Sequence, residues 1–200
     1  AYSNTGTLTI TVRPITVTAT DKTKVYSDAN PALTYTLIDN DGDSTLPNSD
    51  ALGGSLTTSI TSATDVGTWV GSITQGSLGA TSTNYDISFI AGSFEVTPKA
   101  LSVNGLTVAD KVYDGTTTAS ISAAGNLVGK VVADDVSYVQ TGAAFVDKNA
   151  GVGKTVTVSG IGLTGADAGN YSIASTATTT ADITVKALTL SGFTAANKVY

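Results

Sequence analysis

An internal repeat is the feature that most restricts the fold of this 200-residue chain. The tripeptide Lys-Val-Tyr occurs at residues 24–26, 111–113 and 198–200, so that both intervals are 87 residues. The dipeptide Asn-Tyr keeps almost the same spacing, at residues 84–85 and 170–171. A repeat of this kind predicts a tandem array in which each copy is one structural unit.

The repeat divides the chain into four segments. We place unit one at residues 14–98 and unit two at residues 99–186. Residues 1–13 are expected to be the closing strand of a preceding unit, and residues 187–200 the opening strand of a following one. The junctions pass through a proline, which fixes φ and donates no backbone hydrogen bond. Because the chain lacks Met and begins within the pattern, we expect it to be a fragment of a longer protein.

Apolar and hydroxylated residues alternate along much of each unit. Ile15, Val17 and Ala19 alternate with Thr in unit one, as do Val156 and Val158 in unit two. This period of two is typical of antiparallel strands that have one face in water. Clusters of Asn, Asp and Gly separate the strands. The pattern predicts an all-β fold of tandem immunoglobulin-like β-sandwiches arranged end to end.

Two segments keep an alternative fold open. Residues 125–136, and more weakly residues 48–56, are compatible with a short helix against the sheet. If such a helix forms, each unit would instead be a β-grasp-like arrangement with one short helix.

Composition excludes several classes of function. The net charge is −6 and no basic cluster is visible, which argues against nucleic acid and against anionic membrane surfaces. Cys is absent, so no disulfide or thiol nucleophile exists, and His, the commonest general base, is absent too. The sequence contains no stretch of about 18 apolar residues, so it does not predict a membrane-spanning helix. We therefore expect no enzymatic activity.

Longer motifs resemble a known kind of protein. Residues 111–117 (KVYDGTT), 147–171 and 183–190 resemble the YDG-type repeat of large secreted bacterial adhesins of the filamentous-haemagglutinin kind. Residues 23–37 and 82–101 are similar to the related MBG repeat, often described as bacterial Ig-like. The resemblance implies an extracellular or cell-surface protein of a Gram-negative bacterium or its biofilm matrix, in which such units extend a stalk. It implies no catalytic residues. We expect no cofactor unless calcium binds to an acidic loop of unit one.

Three roles are open at this point. The first is a structural extender whose partners are the neighbouring repeats of its own polypeptide. The second is a binding module for a host or matrix polysaccharide or for a protein, and the third is a fibre-forming subunit that self-associates by strand complementation.

The repeated motif residues have predicted structural roles. Asp114-Gly115 matches a two-residue hairpin turn, which would join KVY to TTTASI. Tyr113 is then expected to pack its ring under that turn. Tyr171, which follows Asn170, is expected to donate its hydroxyl to a backbone carbonyl, as a tyrosine corner does.

An acidic loop in unit one suggests calcium. Asp39, Asp41, Asp43 and Asp50 occupy positions 1, 3, 5 and 12 of an EF-hand spacing, but Ser44 replaces the glycine of position 6. The other interpretation is an acidic, solvated loop between two strands.

Two further predictions concern single side chains. Trp69, flanked by Thr68 and Val70, is expected in the core. Lys111, Lys148 and Lys154 are candidates for an isopeptide crosslink to Asn or Asp, which would remove one ammonia or water from the intact mass.

Overall fold

The computed structural model of the chain describes residues 6–39 and 41–200. It divides into two compact units, Ala1–Lys99 and Ala100–Tyr200. Both consist of β-strands joined by turns, which confirms the all-β prediction.

The strands of the first unit are β1 Arg13–Ala19, β2 Lys22–Val25, β3 Tyr35–Asp39, β4 Leu52–Gly53, β5 Thr57–Thr58, β6 Gly67–Thr74, β7 Gly79–Ala80, β8 Tyr85–Ile90 and β9 Gly92–Thr97. They form sheets in the orders β3-β1-β8, β2-β9-β6-β5 and β4-β7.

The strands of the second unit are β10 Lys99–Asn104, β11 Thr107–Val108, β12 Lys111–Val112, β13 Thr118–Ala119, β14 Ile121–Ala123, β15 Asn126–Val128, β16 Ser137–Val139, β17 Gly142–Phe145, β18 Gly151–Ser159, β19 Gly162–Thr164, β20 Tyr171–Ile173 and β21 Thr176–Thr184. Their sheets have the orders β15-β10-β20, β12-β21-β18-β17-β13, β11-β14 and β16-β19.

The first and last strands of unit one run side by side in the same direction. Strand β1 pairs with β8 in parallel, from Arg13 opposite Tyr85 to Thr18 opposite Ile90. Strand β2 continues the pairing with β9, from Lys22 opposite Phe94 to Val25 opposite Thr97. The two ends of the unit therefore share one parallel ladder, which passes from one sheet to the other.

Unit two repeats this arrangement. Strand β12 pairs with β21 in parallel, as β2 pairs with β9. Strand β10 lies between β15 and β20, as β1 lies between β3 and β8. The sequence repeat of 87 residues is thus also a repeat of sheet topology.

The alternation of apolar residues matches the buried faces. Ile15, Val17 and Ala19 are at most 4% exposed, and Val156 and Val158 are fully buried. In unit two, one core cluster combines side chains of the five-stranded sheet with Val108 of β11 and with partly buried side chains of the shorter strands. The burial of these apolar side chains is the main contribution to the stability of each unit.

The helix alternative is wrong for the described residues, which contain two single-turn 3-10 helices and no α-helix. One of these turns, Pro47–Ser49, falls at the segment 48–56 and cannot continue because Asn48 and Ser49 have φ of 57° and 63°. Segment 125–136 contains strand β15 between two glycines with positive φ, Gly125 and Gly129.

Outside β1, the described parts of the two segments predicted as terminal strands contain no strand. Residues 1–5 lie outside the described residues, and residues 6–12 and 187–200 are exposed and form no strand. Their apolar alternation alone is not enough, because a strand also needs a neighbour for its backbone hydrogen bonds.

The parallel ladder of unit one changes sheets beside Gly92, and we predict that this glycine cannot be enlarged. A Cβ at Gly92 would lie 2.9 Å from the carbonyl oxygen of Ala19. Gly92→Ala should therefore lower the free energy of unfolding by about 1 to 3 kcal/mol in urea titrations. Gly79→Ala is the control, because the nearest atom to its added Cβ is 4.0 Å away. Equal stability of the two variants would contradict the prediction.

Candidate functional site

The lysine of the repeated Lys-Val-Tyr motif ties loop backbone together in both units. Lys24 is 7% exposed, and its Nζ donates to the carbonyl oxygens of Asp28 at 3.2 Å and Thr61 at 2.5 Å. Burial lowers the pKa of Lys24. Lys111, at the same place in unit two, donates to the carbonyl oxygens of Thr116 at 2.8 Å and Thr118 at 2.9 Å. Both ammonium groups are engaged in holding loops.

The hairpin predicted at Asp114-Gly115 is wrong. Strands β12 and β13, on either side of this turn, lie at opposite edges of the five-stranded sheet and do not pair with each other. The Asp114 Oδ1 atom instead accepts hydrogen bonds from Lys111 Nζ and from the backbone N–H of Thr116, each at 2.9 Å. These bonds, the one from Lys111 first, lower the pKa of Asp114 to about 2. Gly115 has φ of 81°, so it does supply a turn, but the chain then crosses to the other edge.

The Asn-Tyr dipeptide of each unit supplies a hydroxyl for a carboxylate. The Tyr171 hydroxyl donates to Asp134 Oδ2 at 2.6 Å and accepts the backbone N–H of Val131 at 3.0 Å. In unit one, the Tyr85 hydroxyl donates to Asp50 Oδ2 at 2.7 Å. The prediction that the Tyr171 hydroxyl donates to a backbone carbonyl is therefore wrong. The hydroxyl donates to a carboxylate, and its contact with the backbone is a hydrogen bond that it accepts from an amide.

The other motif residues have structural surroundings. Asn170 is 6% exposed and ends a single-turn 3-10 helix, Ala168–Asn170, directly before Tyr171. Tyr113 is half-buried and packs against the core of unit two.

The four aspartates of the acidic loop do not gather around one point. An Arg13 guanidinium nitrogen donates to Asp39 Oδ2 at 2.6 Å and to Asp41 Oδ2 at 2.5 Å, while Asp50 is bound to Tyr85. Asp39 Oδ1 accepts the backbone N–H groups of Asp41 and Asp43. Across residues 6–39 and 41–200, no three acidic side chains are grouped in a way that could hold a metal ion.

The electrostatics of Asp39 explain how this loop is held. Burial by itself raises the pKa of Asp39, but hydrogen bonds from the Asp43 backbone and from Arg13 outweigh it and keep the pKa below its ordinary value. The hydrogen bonds of the Asp39 carboxylate are therefore made to the backbone of its own loop and to Arg13.

Trp69 is not a core residue, contrary to its prediction. It lies opposite Phe94 across β6 and β9, so that the two side chains share one face of the sheet. Phe94 is fully buried, whereas Trp69 is 42% exposed and donates its indole N–H to the Asp65 carbonyl oxygen. The regular pairing shifts between Trp69 and Ile73, where Gly71 has φ of 67°. The indole thus lies at the rim of the core, next to this irregularity.

Two of the lysines proposed for isopeptide formation lie in ion pairs. Lys154 Nζ contacts the Asp147 carboxylate, and this hydrogen bond lowers the pKa of Asp147. Lys111 contacts Asp114 in the same way. A carboxylate held in its charged form opposes the loss of water that amide formation requires. Lys148 is exposed.

Sequence reasoning missed the partners Asp50 and Asp134 and the burial of Lys24. A signal for the two carboxylates was available, because Asp50 and Asp134 are 84 residues apart, close to the repeat interval. Their pairing with Tyr85 and Tyr171 was not visible, because 35 and 37 residues separate the partners along the chain.

Each unit is therefore a small all-β domain whose loops are held by polar contacts at repeated positions, and the chain is a tandem of two such domains. Residues 15–95 match the family model of the MBG domain (YGX type), and residues 97–181 match that of the YDG domain. The chain thus consists of an MBG domain followed by a YDG domain, which confirms the resemblance. No curated protein and no solved structure matches the chain.

Both domain families are known in outline. They are repeat-type, structural and non-catalytic domains of adhesin-like proteins, and they are typical of extracellular proteins. No cofactor-binding family was found for the chain. Among residues 6–39 and 41–200, no helix has the length and apolar character needed to cross a membrane.

We predict that unit two loses stability in acid through Asp114. Its pKa is about 2 in the folded protein and 3.8 ordinarily, so its stabilising contribution is complete above pH 3.8 and is lost as the pH falls through 2. Asp114→Asn keeps the Oδ1 acceptor but has no charge to lose. The difference in melting temperature between the native chain and this variant should shrink as the pH falls from 5 to about 2. A difference that stays constant with pH would contradict the prediction.

We also predict that the Tyr171 hydroxyl stabilises unit two. Tyr171→Phe removes a donor to Asp134 and leaves the Val131 N–H without this acceptor, which should cost about 1 to 3 kcal/mol in denaturant unfolding. Tyr113→Phe is the matched control, since the Tyr113 hydroxyl has no hydrogen-bond partner in the described part of the chain. Equal losses in the two variants would show that the hydroxyl contact is not the cause.

Proposed function

We propose that this chain is a non-catalytic, load-bearing spacer from the stalk of a bacterial cell-surface or biofilm-matrix adhesin. Its partners are then the neighbouring repeats of the same polypeptide, and its location is extracellular. The two adjoining domains, both from families of structural repeats, support this role. No cofactor and no catalytic residue enters the proposal.

One observation carries the proposal, namely the parallel ladder between the first and last strands of unit one. A stalk is stretched along its length, so that tension enters the unit at Arg13 and leaves it at Thr97. These residues lie at opposite ends of the ladder formed by β1 and β2 with β8 and β9. Tension therefore slides two parallel strands past each other, and the ladder's hydrogen bonds share the load.

The same bonds would fail one at a time if the strands were peeled apart from one end. Forced unfolding is governed by the barrier to unfolding, and a barrier that requires many bonds to break together is higher. The arrangement of the ladder thus suits a protein that transmits force between its ends.

Single-molecule pulling tests the proposal, and the absence of Cys allows attachment points to be chosen freely. In the double variant Pro14→Cys with Pro98→Cys, force shears the ladder. In Pro14→Cys with Asp86→Cys, force peels it, because Pro14 and Asp86 lie opposite each other. All three positions are exposed.

We predict that unit one unfolds at a clearly higher force in the shearing variant than in the peeling variant. Thermal unfolding of both variants without force provides the control, and their midpoints should agree. Equal unfolding forces in the two geometries would contradict a load-bearing role for the ladder.

A further inference from the structure

Tyr35 differs from the tyrosines that the two units share. Tyr85 and Tyr171 recur at matching positions and bind carboxylates, whereas the residue 87 positions after Tyr35 is Ser122. Tyr35 is 38% exposed, and its hydroxyl has no hydrogen-bond partner among residues 6–39 and 41–200. The contact that Tyr85 and Tyr171 share therefore does not account for Tyr35, whose side chain is partly exposed and whose hydroxyl is available to a ligand.

The position of Tyr35 follows from strand pairing. It lies opposite Ala19, as Leu37 lies opposite Val17, and both partners are buried. Tyr35 and Leu37 thus belong to the core face of β3, which is an edge strand. This end of the core face is left partly open to solvent.

Tyr35 is shared by the linings of two clefts. One has a volume of about 570 Å³ and the other about 300 Å³, and Tyr35 lines both. Volumes of roughly 300 to 1,000 Å³ are usual for sites that bind small ligands.

The larger cleft combines an apolar wall with a polar rim. Leu37, Leu46 and Leu52 line it together with Tyr35, and Thr45 and Asp50 add a hydroxyl and a carboxylate. Asp50 uses Oδ2 to accept the hydrogen bond from Tyr85, so the same contact that builds the scaffold fixes the position of this carboxylate. Its Oδ1 atom has no hydrogen-bond partner among the described residues.

We propose that this cleft binds a neutral saccharide, with one sugar ring stacked on Tyr35. A sugar ring has an apolar face of C–H groups that suits an aromatic ring, and an edge of hydroxyls that suits acceptors and donors such as Asp50 Oδ1 and the Tyr35 hydroxyl. Because Tyr35 also lines the second cleft, a linear chain of sugars that stacks on it can contact the linings of both clefts. This binding goes beyond the spacer role and does not depend on it.

Charge decides which sugars are suitable. Asp50 contributes a carboxylate to the cleft itself, Asp43 belongs to the loop that precedes it, and the whole chain carries a net charge of −6. A saccharide that carries carboxylates would be repelled, whereas a neutral hexose chain would not.

Residue-resolved NMR titration of the full chain tests the inference. The probes are cellohexaose, maltohexaose and mannohexaose, with hexagalacturonate as the charged comparison. At least one neutral probe should shift the amide signals of residues 33–37 and 44–52, and hexagalacturonate should not. If none of the three neutral probes binds at millimolar concentration, or if the shifts centre elsewhere, the inference is overturned.

Three variants identify the contact. Tyr35→Ala should weaken binding at least about tenfold, as removal of a central aromatic anchor does. Tyr35→Phe keeps the stacking ring and should retain most of the affinity. Ile38→Ala is the matched control, because Ile38 is 54% exposed on the opposite face of the same strand and should leave binding unchanged. Unchanged binding by Tyr35→Ala would overturn the proposal.

A variant that fills the cleft and a titration with a peptide complete the test. If Tyr35→Ala fails to fold, Thr45→Trp fills the cleft from an exposed position and should abolish binding without altering the core. The open edge of β3 is also a place where a peptide strand could add. Shifts on titration with an alternating Thr-Val peptide, but not with the saccharides, would replace a sugar site by strand addition.

Discussion

The structure of unit one depends on the parallel pairing of its first and last strands. Arg13 lies opposite Tyr85, so that segments about seventy residues apart in the chain are neighbours in the sheet. Parallel strands need a long crossover between them, and here the entire middle of the unit serves as that connection. The ladder can close only after the middle has been formed, because contacts of large sequence separation carry the cost of closing the loop.

Side-chain contacts to backbone hold the loops around this ladder. With few charged residues available, the same few positions are used in both units: a lysine that binds carbonyl groups, Lys24 or Lys111, and a tyrosine that binds a carboxylate. These contacts satisfy loop backbone that the sheets leave unpaired, and a buried polar group without a partner would cost free energy. The residues of the repeated sequence motif therefore hold the loops in place, and this structural role explains why the motif is repeated.

Much of the local structure could be predicted from the sequence. Alternation identified the buried faces that contain Val17 and Val158, because a strand places every second side chain on one side. The spacing of 87 residues identified positions that also correspond in sheet topology, such as Lys24 in β2 and Lys111 in β12. Alternation is a local signal and the repeat is a periodic one, and neither depends on which distant segments pair in the folded chain.

The errors came from features that only tertiary pairing decides. Asp114-Gly115 is a strong local hairpin signal, but β12 finds its partner in β21 and β13 finds its own in β17. Trp69 follows a regular alternation that is interrupted a few residues later by the register shift in β6. Asp39 and Asp50 share a loop in the sequence, but in the structure Asp39 accepts a hydrogen bond from Arg13 and Asp50 accepts one from Tyr85. Spacing along a chain cannot show which of two distant side chains will claim a carboxylate.

The tyrosine–aspartate contact has a consequence for how such units vary. It joins the two ends of the middle segment, from Asp50 to Tyr85 in one unit and from Asp134 to Tyr171 in the other. The spans differ in length by two residues, and each contains four strands whose lengths differ between the units. In both units the strand that begins at the tyrosine lies beside the first strand of the unit. The tyrosine–aspartate hydrogen bond therefore fixes the two ends of a segment whose own sequence and loops can vary. The loops and edge strands between the two partners can therefore vary, while the pairing of the first strand with the strand that begins at the tyrosine is kept.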